Sequence, residues 1–223
     1  MGLVYHMGMG SIFVLLRTFF YLLYHPFAWT YDFVAATVSL GRWKSWVRCS
    51  IPFLEGKVLE IGYGPGHLQQ ALNEGGFSTF GIDESRQMVC QARRRLQKTG
   101  SPICLARGLA QSLPFQNEVF DSVVATFPSE YIFDPHTLKD VRRVLKPGGR
   151  LVILPMAWIT GTQGLERLAA WLFRFTGEAP GTPRPIPGEM RERFMRAGFE
   201  AQSELVRLKG SQVLVILAKR TLY

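Results

Sequence analysis

Short apolar runs alternate with longer amphipathic stretches along most of this chain. Val58-Leu-Glu-Ile61 is a brief strand-like run that stops at Gly62. Phe77-Ser-Thr-Phe-Gly-Ile-Asp83 predicts a second strand, and Glu84 to Thr99, with few breakers, predicts the helix after it, capped by Ser85. Pro102 to Ala106 and Phe120 to Ala125 read as further strands. Asp134 to Val144 reads as a helix with Asp134 as its cap and Pro135 in its first turn. That helix runs out by Lys146, Pro147-Gly148-Gly149 makes the turn, and a strand starts at Arg150. Gln163 to Phe175 predicts an apolar helix around Trp171, and Ala179 to Pro187 is too rich in proline to be anything but loop. Glu189 to Ala197 predicts a short helix ended by Gly198. Glu200 to Leu208 and Gln212 to Lys219 then predict a hairpin turning at Lys209-Gly-Ser211. Strands alternating with helices predict an α/β domain with a mostly parallel sheet.

The first fifty residues have a different texture. Ser11 to Tyr24 is almost wholly apolar, with Arg17 in its middle and Pro26 close behind. A spanning helix needs about 20 apolar residues, and a central arginine costs about 2.5–3.5 kcal/mol on insertion scales. No small-residue cleavage site follows, which argues against a signal peptide. Three readings stay open: a helix lying in a membrane interface over residues 11–30, a lid over an apolar pocket, or an added core helix. Ser39 to Trp46 adds an amphipathic stretch with Trp43 and Trp46 on one side.

The glycines carry the chemistry. A strand that stops in glycines lets a ligand lie on bare backbone, because glycine has no Cβ and accepts positive φ. In an open α/β sheet that place, the carboxyl end of the first strand, binds nucleotide-like cofactors. A dinucleotide fold asks for G-x-G-x-x-G. Counted from Gly62, the third position is His67, and the glycine comes one residue earlier at Gly66. The pattern is therefore Glu60-x-Gly62-x-Gly64-x-Gly66, which disfavours an NAD(P) oxidoreductase. Asp83 ends the next strand, where its carboxylate can accept from the two hydroxyls of a ribose.

With Leu113-Pro-Phe115, Phe120-Asp121 and Leu145-Lys-Pro-Gly-Gly149 following in order, residues 57 to 155 resemble the class I S-adenosylmethionine-dependent methyltransferases, in the small-molecule group that includes the ubiquinone/menaquinone C-methyltransferases. The resemblance implies a Rossmann-like three-layer sandwich with a seven-stranded, mostly parallel sheet in the order 3-2-1-4-5-7-6, strand 7 antiparallel. It implies a methyltransferase domain over residues 51–223, behind an apolar helical extension or lid over 1–50. It implies S-adenosylmethionine as cofactor, S-adenosylhomocysteine as product, and a small-molecule acceptor.

Site roles follow from the same resemblance. Glu60, Gly62, Tyr63, Gly64 and Gly66 would surround the methionine part, and Asp83 with Glu84 the ribose. Met88, Leu109 and Ala110 would lie near the adenine, Thr126 at the end of strand 4, and Tyr31 in a helix closing over the site. One departure stands out. The family often has an acid before the Leu-Pro-Phe segment to accept from the adenine amino group, and this chain has Leu109. Thr126-Phe-Pro-Ser129 lacks the pattern of amino methyltransferases, which disfavours an amine or DNA-base acceptor. Glu130, Tyr131 and His136 are the nearest ionisable groups for a catalytic base. Methyl transfer from a sulfonium needs alignment more than acid–base help, so a missing triad is no objection.

Charge and rare residues trim the remaining classes. The chain has 223 residues, room for one decorated α/β domain, and a formal charge of +9. Much of the excess lies in Arg93-Arg-Arg95, Arg142-Arg143 and the 191–196 segment. It reads as solvated helix faces, with attraction to an anionic membrane surface as the alternative. No nucleic-acid-binding pattern is visible, so no nucleic-acid partner is expected. Cys49, Cys90 and Cys104 are scattered, and the four histidines lack ligand spacing, so no metal site is expected and a cytoplasmic setting, with or without membrane association, fits. A non-catalytic module that uses the same fold to dock on a membrane or partner is the alternative from another class. Oligomeric state, acceptor identity and the atom methylated are not written in these patterns.

Overall fold

A computed structural model describes residues 39, 41–160 and 186–222. In chain order the elements are α1 (Trp43–Arg48), a 3-10 turn (Ile51–Phe53), β1 (Lys57–Ile61), α2 (His67–Glu74), β2 (Ser78–Asp83), α3 (Arg86–Lys98) and β3 (Leu105–Arg107). They continue with β4 (Phe120–Thr126), a second 3-10 turn (Glu130–Phe133), α4 (Pro135–Val144), β5 (Leu145–Ile159), α5 (Gly188–Arg196), β6 (Phe199–Leu208) and β7 (Ser211–Arg220). The strands form one seven-stranded sheet in the order β3-β2-β1-β4-β5-β7-β6. β1 to β5 run parallel, and β7 runs antiparallel to both β5 and β6. This is the order the family resemblance implies.

Alternating side chains divide the core between the two faces of the sheet. Leu59, Ile61, Val123, Leu151 and Ile153 pack against Leu138 and Val141 of α4 and Phe194 of α5. Their neighbours Val58, Val124, Val152 and Leu154 face the other way, onto Trp46 and Val47 of α1 and Leu68 and Leu72 of α2. Nearly all are fully buried, and each contributes about 1.5–3 kcal/mol by leaving water. Both faces of these central strands are therefore apolar, as a sheet covered on both sides requires.

The predicted caps form. The Ser85 hydroxyl accepts from the Met88 N–H, and the Asp134 carboxylate accepts from the N–H groups of His136 and Thr137. Boundaries differ in two places. β3 is only Leu105–Arg107; before it, the Cys104 carbonyl accepts from the Gly81 N–H at 2.9 Å, and Pro102 has no N–H to give a ladder. β5 begins at Leu145, with no turn before it. Pro147-Gly148-Gly149 bulges out of that strand, Gly148 has φ +75°, and the register with β4 shifts between Phe120 and Ser122. The glycines thus absorb extra length within a strand.

The expected helix over 163–175, the apolar run over 11–24 and Tyr31 lie outside the described residues. Among the described residues no helix is long and apolar enough to cross a membrane.

Candidate active site

β1 delivers the chain into the glycine loop. Gly62, Gly64 and Gly66 all have positive φ, at +71°, +52° and +84°. The three glycines do different jobs. A Cβ on Gly66 would lie 2.9 Å from the Ala92 Cβ, so this glycine lets α2 and α3 approach each other. A Cβ on Gly64 would meet nothing within 4 Å, so the backbone there borders open space. A Cβ on Gly62 would lie 2.5 Å from the Tyr131 hydroxyl, so at this glycine the bare side is covered by a phenol. The Arg95 guanidinium donates to the Pro65 carbonyl and ties α3 to the same loop.

Asp83 faces this loop from β2. Its Oδ2 accepts from the Gly64 N–H at 2.9 Å and its Oδ1 from the Ser85 N–H at 2.8 Å. Burial pushes its carboxyl above the ordinary aspartate value, against the pull of those two hydrogen bonds, and the neighbouring Glu84 adds a smaller push upward. The acid is half-buried, and a carboxylate has more lone pairs than these two bonds use, so it can still accept from a ribose. Glu84 beside it is exposed.

Glu60 is different. It is 1% exposed, and its Oε2 accepts from the Gln69 amide at 2.9 Å. The same amide donates to the Phe80 carbonyl at 3.1 Å. Burial pushes the Glu60 carboxyl up to about 8, with the Gln69 hydrogen bond pulling down and Asp83 pushing up. Glu60 therefore ties β1, α2 and β2 together beneath the loop and offers no surface to a ligand.

Two further expected contacts lie inside the protein. Tyr63 is buried at 3%, its ring standing where a Gly81 Cβ would go and its hydroxyl donating to the Ala106 carbonyl at 3.3 Å. Met88 is fully buried in the inner face of α3. Both side chains are turned into the protein, so Tyr63 presents its backbone, and not its ring, to the loop surface. The signal for Met88 was ordinary helix periodicity; for Tyr63 it was the bare Gly81 opposite.

In the segment after β3, Leu109 is 54% exposed while Ala110 is buried. Thr126 is half-buried at the end of β4. The next residue, Phe127, has φ +51° and donates its N–H to the Leu154 carbonyl at 2.7 Å. Its ring lies 4.6 Å from Trp43 and 6.1 Å from Trp46. A bulky residue in left-handed geometry is costly, of the order of 1–3 kcal/mol, and persists only where its surroundings hold it. This aromatic cluster holds it, and no sequence signal announced it.

The three candidates for a base separate. Tyr131 is half-buried over Gly62, whereas Glu130 and His136 are exposed. His136 opens α4, its backbone N–H bound to Asp134. Among the described residues no cluster of histidine, cysteine and carboxylate could hold a metal ion.

These residues fit an adenosyl sulfonium: open backbone at Gly64 and a half-buried acid beside it. Residues 59–153 match the family described as methyltransferase domain. The chain is 27% identical over 238 aligned positions to a demethylmenaquinone methyltransferase of Symbiobacterium thermophilum, covering 89% of this chain and 91% of that protein. It is 31% identical over 134 positions to the ubiquinone/menaquinone biosynthesis C-methyltransferase UbiE of Geotalea daltonii, covering 56% of this chain and 57% of the relative. Several of the curated relatives are thus matched over little more than half their length. A crystal structure of an S-adenosylmethionine-dependent methyltransferase from Aquifex aeolicus superposes with a TM-score of 0.57 at 17% identity, over 83% of this chain and 97% of that one.

Proposed function

We propose, for a chain that carries a class I S-adenosylmethionine-dependent methyltransferase domain, that it transfers a methyl group to a small, apolar, lipid-like acceptor. Bound, the cofactor supplies a methyl group on a positively charged sulfur. The chain's own part is placement, since alignment of reacting groups is worth roughly 7–11 kcal/mol.

The single observation that supports cofactor binding most directly is the pairing of Gly64 with Asp83, 2.9 Å apart and beside open space. Asp83 would take the ribose hydroxyls, Gly64 would let the cofactor lie on backbone, and Leu109 would cover the adenine without accepting from it. Glu60 and Gln69 would hold the loop in shape from below. The acceptor would enter over the end of β4, beside Thr126 and Tyr131. The apolar run over residues 11–30 supports the word lipid-like, and peripheral membrane contact through that segment is part of the same proposal.

Isothermal calorimetry with S-adenosylmethionine and S-adenosylhomocysteine tests it. Both should bind the unaltered chain. Gly64→Val should abolish binding, because its side chain would stand in the cleft and its φ is strained. Asp83→Ala should weaken both ligands about tenfold or more, by loss of charge-assisted hydrogen bonds worth roughly 1.5–3 kcal/mol each. Silence from the unaltered protein toward both ligands would overturn the proposal. Leu109, where the family often has an acid, favours a second reading, a binding module without turnover; methylation of any acceptor by the purified chain would dismiss it.

A further inference from the structure

Tyr131 belongs to no motif, yet its hydroxyl stands where a Gly62 side chain would begin. The two residues are brought together by the sheet. β1 lies between β2 and β4, so Asp83, the glycine loop and the segment after β4 sit side by side across its carboxyl edge. Asp83 touches the loop at Gly64 from the β2 side. Tyr131 touches it at Gly62 from the β4 side. Behind the tyrosine, Ile132 is fully buried and the Asp134 N–H returns to the Tyr131 carbonyl at 3.2 Å, so the turn that carries the ring is anchored. The ring itself packs against the core cluster beneath α4.

A cofactor whose ribose rests on Asp83 has its sulfur on the ribose 5′ carbon. From there it must run across Gly64 toward Gly62 and the β4 side, where an acceptor enters. The side-chain oxygen within 4 Å of where a Gly62 Cβ would stand is the Tyr131 hydroxyl. A phenol oxygen carries lone pairs that attract a sulfonium and the polarised hydrogens of its methyl group. A neutral thioether gives it neither.

Building on the proposed cofactor site, we infer that the Tyr131 hydroxyl faces the sulfonium centre and makes the site prefer the charged donor over the neutral product. Tyr131 is then a contact to the cofactor at the point where donor and acceptor meet. Glu130 and His136, exposed on the flanking turn and helix, have no such position.

The test is binding, independent of any acceptor. Calorimetry is run with S-adenosylmethionine and with S-adenosylhomocysteine on the unaltered chain and on Tyr131→Phe, which keeps the ring and removes the oxygen. The inference expects Tyr131→Phe to weaken S-adenosylmethionine about three- to tenfold and to change S-adenosylhomocysteine less than twofold. An equal change for both ligands, or none for either, would overturn it and leave the tyrosine as a support for the glycine loop. Thermal melting checks that the variant is folded. If it is not, the unaltered chain is titrated with sinefungin, which carries an ammonium near the sulfonium position. Sinefungin binding no tighter than S-adenosylhomocysteine would equally overturn the inference, and tighter binding would support it. No binding of any of the three ligands to the unaltered chain would bring down the cofactor proposal itself, an outcome distinct from loss of the preference alone.

Discussion

Glu60 shows how one buried acid can shape a loop from beneath it. It sits fully inside, bonded to Gln69, with its carboxyl pushed up to about 8 by burial. In the unfolded chain the same group titrates near 4.3. Between those two values the folded protein holds a proton that the unfolded chain has lost, so stability falls as pH rises from about 4.5 toward 8. The limiting slope for one such group is about 1.4 kcal/mol per pH unit. Glu60→Gln keeps an oxygen for the Gln69 amide and cannot ionise. Melting curves across this range should show the variant losing the downward slope of the parent. A parallel pair of curves would show that Glu60 is not the group responsible. The glycines, Asp83 and the acid before the loop were all legible in the chain. The direction Tyr63 and Met88 face was not, because a side chain's side of a loop or helix depends on what packs against it. The contact of Tyr131 with Gly62 was illegible for the same reason: the residues are far apart in sequence, and only sheet order makes them neighbours.

At the scale of elements, the Leu113-Pro-Phe115 segment is strapped onto α4. Leu113 donates its N–H to the Asp140 carboxylate of α4 at 2.5 Å. Arg143, one turn on, donates to the carbonyls of Leu113 and Phe115 at 2.9 and 2.6 Å, and pairs with Asp140 at 2.7 Å. Burial alone would raise the Asp140 carboxyl, but the Arg143 guanidinium holds it below the usual aspartate range. The strap in turn seats Phe115 edge-on against Phe120, 5.1 Å away, at the start of β4. Arg143→Ala should therefore cost about 2–3 kcal/mol, because partly buried carbonyls and a carboxylate lose their donor. Denaturant unfolding would measure it, and a loss under about 0.5 kcal/mol would show the strap to be idle. Element types could be read along most of the described chain, since strand and helix periods differ so clearly. The start of β5 could not, because a Pro-Gly-Gly run reads as a turn, and only its pairing with β4 reveals it as a bulge.

Over the whole molecule, the two ends of the described chain are fastened together. The Trp46 indole in α1 donates to the Ser211 hydroxyl at the start of β7, 3.0 Å away, inside the core. Its ring and that of Trp43 also hold Phe127 in left-handed geometry beside the end of β4. Trp46→Ala should lower stability by about 3–5 kcal/mol, which for a chain of this size is a drop of roughly 10 °C or more in melting temperature. Calorimetric melting would check it; a shift of a degree or two would mean that α1 is only loosely attached. The net charge has a plainer account. α3 carries Arg86, Arg93, Arg94, Arg95 and Lys98 with no acid among its residues. Elsewhere Arg150 pairs with Glu55 and Arg220 with Glu118.

The sheet is also deeper on one flank than on the other. β4 stops at Thr126, opposite Leu154, while β5 and β7 stay paired on to Ile159 and Ser211. The overhang makes a parapet beside the mouth, built from different backbone than the glycine bend that would grip the donor. Side chains on the parapet can therefore change without disturbing the backbone of the glycine bend.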